Sequence, residues 1–201
     1  MSARDAILER IRSHRPSGEH PLPESPDFTR PSGDVQARFV ERLERMGGEV
    51  LPPDGSGDML APLRTRLAAA GRVCSAAPEI EGNVDLDAIA RPHDLADVDI
   101  SVARAAFGVA ETGSVLFTEA ELRVNAMAYL AQHLVVLVDP ADIVESTQHA
   151  YRSPLFHQAR YVACHSGPSA TADIEGVLIH GAQGVRSLTV VFVPRSDASL
   201  R

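Results

Sequence analysis

Five consecutive apolar residues, Leu134-Val135-Val136-Leu137-Val138, stand between His133 and Asp139. A run this short, continuous and rich in β-branched residues reads as a strand buried on both faces, which requires other layers above and below it. The surrounding pattern supplies them. Val35, Phe39, Val40, Leu43 and Met46 have helical spacing behind Asp34 as N-cap, and Gly47-Gly48 ends that helix before a strand at Glu49-Val50-Leu51. A helix is predicted over Asp58–Ala70, stopped by Gly71, and a strand over Arg72–Ser75. Ala76–Asp97 is polar and broken by Pro78, Gly82 and Pro92, and reads as loop. Further expectations are a helix over Val98–Phe107, a strand over Thr112–Thr118 and a helix over Arg123–Leu130. Pro140 suits the first turn of a helix running to about Tyr151, and a last strand spans Leu188–Val193. Strands alternating with helices give an α/β fold, a parallel or mixed sheet with helices on both faces. Ligands of such sheets bind outside the carboxyl ends of the strands.

At 201 residues the chain reads as one domain with an arm. The arm, residues 1–33, holds a short amphipathic helix on Ala6, Ile7, Leu8 and Ile11, which docks on its own domain or on a partner. A linker punctuated by Pro16, Pro21, Pro23, Pro26 and Pro31 follows. The domain occupies residues 34–201. A net charge of −8 argues against nucleic acid and against anionic membrane surfaces. Cys74 and Cys164 form no CxxC, read as reduced thiols, and are too few to ligate an iron–sulfur cluster from this chain alone. The absence of an apolar spanning run and of a signal-type h-region near Met1–Arg15 points to a cytoplasmic protein without membrane insertion.

Two segments carry the candidate chemistry. In the first, the apolar run Tyr161–Cys164 leads into Ser166-Gly167-Pro168-Ser169-Ala170-Thr171-Ala172-Asp173-Ile174-Glu175. Ile174, Val177 and Leu178 have helical spacing, so the turn is expected to open a helix to about His180, with hydroxyls and backbone N–H groups at its N-terminus. Asp173 and Glu175 would flank the apolar stripe on opposite sides. They either face a crevice or complement the helix dipole, and Ser169 or Thr171 is the candidate N-cap. Acids in a first turn oppose a bound phosphate, so a hydroxyl-rich ligand fits as well as an anion.

The second segment is Ala110-Glu111-Thr112-Gly113-Ser114. Period-two alternation places Thr112 and Ser114 on one face and Gly113 on the other, where a ligand or another backbone can approach closely. Glu111 reads as general base, nucleophile or hydrogen-bond acceptor, or else as a strand-end carboxylate paired with an arginine. Together these residues predict a crevice with Glu111, Thr112 and Ser114 on one side and Ser169, Thr171 and Asp173 on the other. Gly113, Gly167 and Glu175 belong to the same candidate set. Gly181-Ala182-Gln183-Gly184 reads as a turn before the last strand, with neither a following Lys-Ser/Thr nor a GxGxxG. His93, His133, His165 and His180 form no ligand spacing, so no metal site is expected; His165, just before Ser166, is the notable one.

The two segments, with Leu134–Val138 and Ile143-Val144 between them, resemble the lactate utilization protein C family, which carries the LUD domain. The resemblance runs from about Asp34 to the C-terminus and is strongest after Val98. Ser114 stands where that family usually has Thr, Ala170 where it commonly has Arg, and Gly181–Val185 where it tends to have Gly-x-His-Gly-Pro, so Gln183 is not read as a catalytic group. The resemblance implies an α/β fold related to the isomerase and coenzyme A transferase superfamily. It also implies a part in cytosolic oxidation of L-lactate to pyruvate beside iron–sulfur partner proteins. Any clusters would then sit on those partners, with no cofactor assigned to this chain. Two alternatives remain. Glu111-Thr112-Gly113 is similar to the Glu-x-Gly nucleophile segment of coenzyme A transferases, which would make the chain an acyl-transfer enzyme. A nucleotide- or folate-binding enzyme of the same superfamily, or a bare interaction module, is the other.

Overall fold

A computed structural model describes residues 2–21, 23, 26, 28, 33–173, 175–181 and 183–195. Its elements, in chain order, begin with α1 (Ala3–Ser13), α2 (Val35–Arg45), β1 (Glu49–Val50), α3 (Ala61–Ala68), β2 (Val73–Ser75) and β3 (Ile100–Arg104). There follow β4 (Phe107–Val109), β5 (Ser114–Thr118), α4 (Glu119–Leu122), α5 (Met127–Leu130), β6 (His133–Val138), β7 (Ile143–Val144) and α6 (Thr147–Tyr151). The last are α7 (Leu155–Gln158), β8 (Val162–His165), β9 (Ala170–Thr171), β10 (Ile179–His180) and β11 (Ser187–Phe192).

The apolar run of β6 forms the middle of a five-stranded parallel sheet ordered β1-β11-β6-β3-β2. Its side chains divide by parity, as the pleat requires. Val135 and Leu137 join Ile100, Val102 and Val191 beneath Leu60 and Leu63 of the α3 region. Leu134, Val136 and Val138 join Leu188 and Val190 beneath Phe39 and Leu43 of α2. That second face is also covered by Val115 and Phe117 of β5. They belong to a separate four-stranded sheet, β7-β4-β5-β8, in which β5 runs antiparallel to both β4 and β8. The outer face of this second sheet, Phe107, Val109 and Leu116, packs under Ala150, Leu155 and Phe156 of the α6–α7 region. The α/β class and the central parallel sheet agree with the sequence reading; a second sheet serving as part of one covering layer is an addition to it.

Several elements differ from expectation. Residues 98–107 contain β3 rather than a helix: Ile100 and Val102 face one core while Ala103 and Ala105 face the other, a period of two that the alanines disguise. The helix expected over Arg123–Leu130 is only α5, preceded by α4, and the two are separated by Arg123 at φ +57°. Thr118 caps α4, accepting from Ala120 N–H at 3.1 Å while Glu121 accepts from Thr118 N–H at 2.7 Å. The helix expected from Pro140 is one short turn, because Ile143 and Val144 pair in parallel with Gly108 and Val109; helix returns only at α6, capped by Ser146. The helix expected over Asp58–Ala70 shortens to α3, with the Asp58 carboxylate accepting from Leu60 N–H at 2.9 Å.

The arm's helix forms as α1 behind a Ser2–Asp5 capping box, with Ile7 and Ile11 exposed. The linker reaches α6 where Gln148 donates to the Pro26 carbonyl at 2.6 Å and accepts from Phe28 N–H at 3.2 Å; Pro31 lies outside the described residues.

The C-terminal half of α2 fixes how the sheets meet. Gly113, at φ +66°, lies so close that a Cβ there would be 2.1 Å from the Leu43 backbone nitrogen. Gly113→Ala therefore combines left-handed strain with a clash against helix backbone, and should lower unfolding free energy by about 3 kcal/mol or more in urea titration. Phe39→Ala, emptying a fully buried site, should cost about 3–5 kcal/mol in the same assay.

Candidate functional site

Strand β8 pairs antiparallel with β5, Val115 opposite His165, and delivers Ser166-Gly167-Pro168-Ser169 at its end. Gly167 has φ +76°, and a Cβ there would meet the Met46 carbonyl oxygen at 2.2 Å. Its side-chain-free backbone seats the loop on the end of α2. Gly113 and Gly167 are thus both places where another backbone approaches, for Gly113 one of the two readings its sequence context allowed.

Among the described residues the helix expected after this turn is absent. β9 and β10 instead form an antiparallel hairpin, Ala170 opposite His180 and Thr171 opposite Ile179. Its base is closed by Gly181 N–H donating to the Ser169 carbonyl at 2.6 Å. Glu175 at φ +56° and Gly176 at φ +68° turn the chain at the tip, a left-handed pair no α-helix accommodates. Val177 and Leu178 are exposed, so their helical spacing marks no buried stripe. Ile174 and Ala182 lie outside the described residues. With no helix there, Ser169 and Thr171 are not N-caps. Thr171 and Asp173 bond to one another at 3.3 Å on the hairpin, and Asp173 and Glu175 are exposed near its tip.

The structure does bring the two segments together through hydroxyls. Thr112 Oγ1 lies 2.6 Å from Ser114 Oγ, which bonds in turn to Ser166 Oγ. Ser114 is buried, so this chain of three hydroxyls is an internal link between β5 and the β8 loop. Glu111 is not part of it: its exposed carboxylate accepts from Thr147 N–H at 2.8 Å, at the start of α6. The arginine pairing considered for Glu111 is replaced by this helix-terminus contact.

Beyond the loop opens a cleft of about 240 Å³. Ser166 and Ser169 line one part, Gln183 and Gly184 another, and Tyr129 and His165 the wall. Gly184 matters for its shape, since a Cβ there would stand 3.0 Å from Ser169 Cβ. Of the candidate set, Ser169 and Gly167 line the cleft; Glu111, Thr112, Thr171, Asp173 and Glu175 do not. The His165 ring lies 5.5 Å from Phe117 and 5.0 Å from Tyr129, centroid to centroid, with Nε2 buried and without a hydrogen-bond partner among the described residues. Burial pushes its pKa below the ordinary imidazole value, leaving the ring neutral at pH 7. The Tyr129 and Tyr161 hydroxyls bond to each other, and burial together with that bond pushes the Tyr161 pKa up. Among the described lining residues there is no Lys, Arg, Asp or Glu.

Sequence reasoning missed Tyr129, which lay inside an apolar helical pattern, and passed over Gln183. The one available signal for Gln183 was its position in the segment that departs from the resembled family. Both cysteines are free, Cys74 buried in the parallel sheet and Cys164 exposed on β8, where it lines the cleft. Among the described residues no group of three or more His, Cys, Asp or Glu is placed to hold a metal ion. No helix among them is long and apolar enough to cross a membrane.

A family model of the LUD domain matches residues 72–193, more than half of the chain, including β8, its loop and the cleft. The chain belongs to the LUD domain family. Among solved structures, the crystal structure of a DUF162 family protein from Deinococcus radiodurans matches with a TM-score of 0.60 at 15% identity, covering 81% of this chain and 99% of that one. At that identity the likeness is one of fold. The comparison with curated proteins gave no match.

The neutral His165 carries a pH signature. Its folded pKa is lowered, so the unfolded chain takes up the proton first as pH falls through about 6.5. Its contribution to stability is complete above that value and diminishes below it, until the folded pKa is passed. Thermal unfolding should show Tm falling between pH 7 and 5.5, with a shallower slope in His165→Gln. His133, also lowered by burial and then by Arg66 and Arg186, adds a contribution of the same sign. The lowered carboxylates Glu49 and Asp139 act only at more acidic pH.

Proposed function

We propose that this LUD-domain protein is a non-redox subunit of a lactate-utilization system, working with iron–sulfur partner proteins that oxidise L-lactate to pyruvate. In this reading it holds a small polar ligand in the Ser166–Ser169 cleft. The observation that carries the proposal is the coincidence of family membership with that cleft: the family match spans residues 72–193, and the loop resembling the family's own sequence forms one wall of it. The chain's two cysteines support the division of labour, since they sit on strands of different sheets. Electron transfer then falls to the partners. Ser169 and Gln183 are the ligand's hydrogen-bonding contacts, and Tyr129 its apolar face.

Glu111 has no part in the chemistry on this reading, because its carboxylate is engaged at α6 and does not line the cleft. A glutamate nucleophile for acyl transfer finds no support in that placement.

The test is affinity capture of the tagged full-length chain from lactate-grown cells, with lactate-to-pyruvate conversion assayed in the eluate. Iron–sulfur proteins should be recovered together with activity. Ser169→Ala and Gln183→Ala should each retain the partners and lower conversion roughly tenfold, the loss expected for one hydrogen bond worth about 1.4 kcal/mol. Glu111→Gln, whose amide oxygen still accepts from Thr147 N–H, should leave conversion unchanged. Capture of no iron–sulfur protein, with no conversion, would overturn the proposal.

A further inference from the structure

Accepting the Ser166–Ser169 cleft as the ligand site, we infer that it selects an uncharged, planar heteroaromatic ring with a donor–acceptor edge, the chemistry of a nicotinamide or an adenine ring, and rejects lactate, pyruvate and phosphate. Four observations carry this.

The first is charge. The described lining residues present hydroxyls, one side-chain amide, an imidazole and a thiol, but neither a cation nor a carboxylate. A carboxylate or phosphate entering such a site loses its hydration and gains no countercharge. Arginines that would serve an anion are elsewhere: Arg66 and Arg186 line a separate pocket with His133 at the amino-terminal end of the parallel sheet.

The second is the backbone. Gly-rich turns hold anions by aiming free N–H groups at them. Here the Ser169 N–H is spent on the Val185 carbonyl at 2.9 Å, and the Gly181 N–H on the Ser169 carbonyl at 2.6 Å. The loop has the composition of an anion cradle, but its Ser169 donor already serves the protein, and the Gly181 donor closes the hairpin beyond it.

The third is the wall. Tyr129 is 42% exposed, yet its ring is held from two directions. His165 packs against it at 5.0 Å, and its hydroxyl is tied to Tyr161. A fixed and accessible aromatic face offers stacking to another flat π-system at little entropic cost. His165 completes an unionised aromatic corner.

The fourth is the edge and the size. Gln183 provides an amide donor and an amide acceptor, and Ser166 and Ser169 provide hydroxyls that act as either. That mixture complements the amide-like edge of a heterocycle, as glutamine does when it reads adenine. A cleft of about 240 Å³ lies below the range of about 300–1,000 Å³ typical of drug-sized ligands, so it takes one ring, free or as the end of a larger molecule.

The test titrates the full-length protein with nicotinamide, adenine, L-lactate, pyruvate and inorganic phosphate, each alone, by NMR. Tyr129 ring signals are assigned with Tyr129→Phe. Nicotinamide or adenine should shift the Tyr129, His165 and Gln183 signals upfield or in concert, and the three anions should leave them in place at equal concentration. Tyr129→Ala should weaken ring binding at least tenfold, while Tyr129→Phe retains it. Gln183→Ala, at an exposed position, should weaken it as well without risk to the fold. Lactate, pyruvate or phosphate moving these signals with equal or better affinity would overturn the inference, as would failure of both rings to move them. Partner capture is read separately: partners without ring binding would sink this inference alone, and ring binding without partners would sink the subunit reading alone.

Discussion

Backbone meets backbone where the end of α2 touches two different strands' loops, and much of the remaining architecture hangs on that contact. Gly113 stands against Arg42 and Leu43, and Gly167 against the Met46 carbonyl. Neither position has room for a Cβ, and both have positive φ, so glycine is required twice over, by conformation and by space. The consequence reaches across layers. Phe39 and Leu43 on the same helix enter the core shared by the parallel sheet and β5, so seating α2 on the two glycines holds the second sheet over the first. It also sets Ser114 against Ser166, and thereby places the loop whose far side lines the cleft.

Three of the less exposed arginines are bonded at the ends of the strands. Arg66 joins Glu49 at 2.8 Å and Thr189 at 3.1 Å across β1 and β11. Arg104, its side chain 8% exposed, pairs with Glu79 and donates to the Val193 carbonyl at 2.9 Å. Arg195 pairs with Asp142 and donates to the carbonyls of Ala105 and Ala106, tying the segment after β11 to the link between β3 and β4. These networks register strands and leave the cleft uncharged. The acidic balance of the chain is therefore carried by its surface and its strand ends, and the binding chemistry by hydroxyls, an amide and aromatic rings.

Local chemistry that acts on its own was legible in the sequence. The Leu134–Val138 run became the central strand because continuous burial leaves a five-residue apolar segment little alternative. Asp34 capped α2 as expected, and Gly47 ended it, since caps and left-handed stops depend on a few neighbouring atoms. The loop that forms the cleft was singled out as well. Errors arose where a pattern had two solutions. Ala-rich residues 98–107 suit a helix locally but lie between β2 and β6, where pairing on both sides decides for strand. The spacing of Ile174, Val177 and Leu178 matches a helix, yet Val177 and Leu178 are exposed, and Glu175 with Gly176 turns the chain into a hairpin.

What this sequence determined by itself was the α/β class, the buried strand at its centre, the helix that begins at Asp34, and the hydroxyl-rich loop after Cys164. What only the tertiary structure decided was which of the candidate residues share a site. Glu111 is two residues from Gly113 in the chain, but turns to α6, while Tyr129, Ser169 and Gln183 come from three distant segments to one cleft. Period and spacing report which way a side chain leaves its own strand or helix. Which elements then stand opposite is set by long-range packing, here by α2 resting on two glycines that are more than fifty residues apart in the chain.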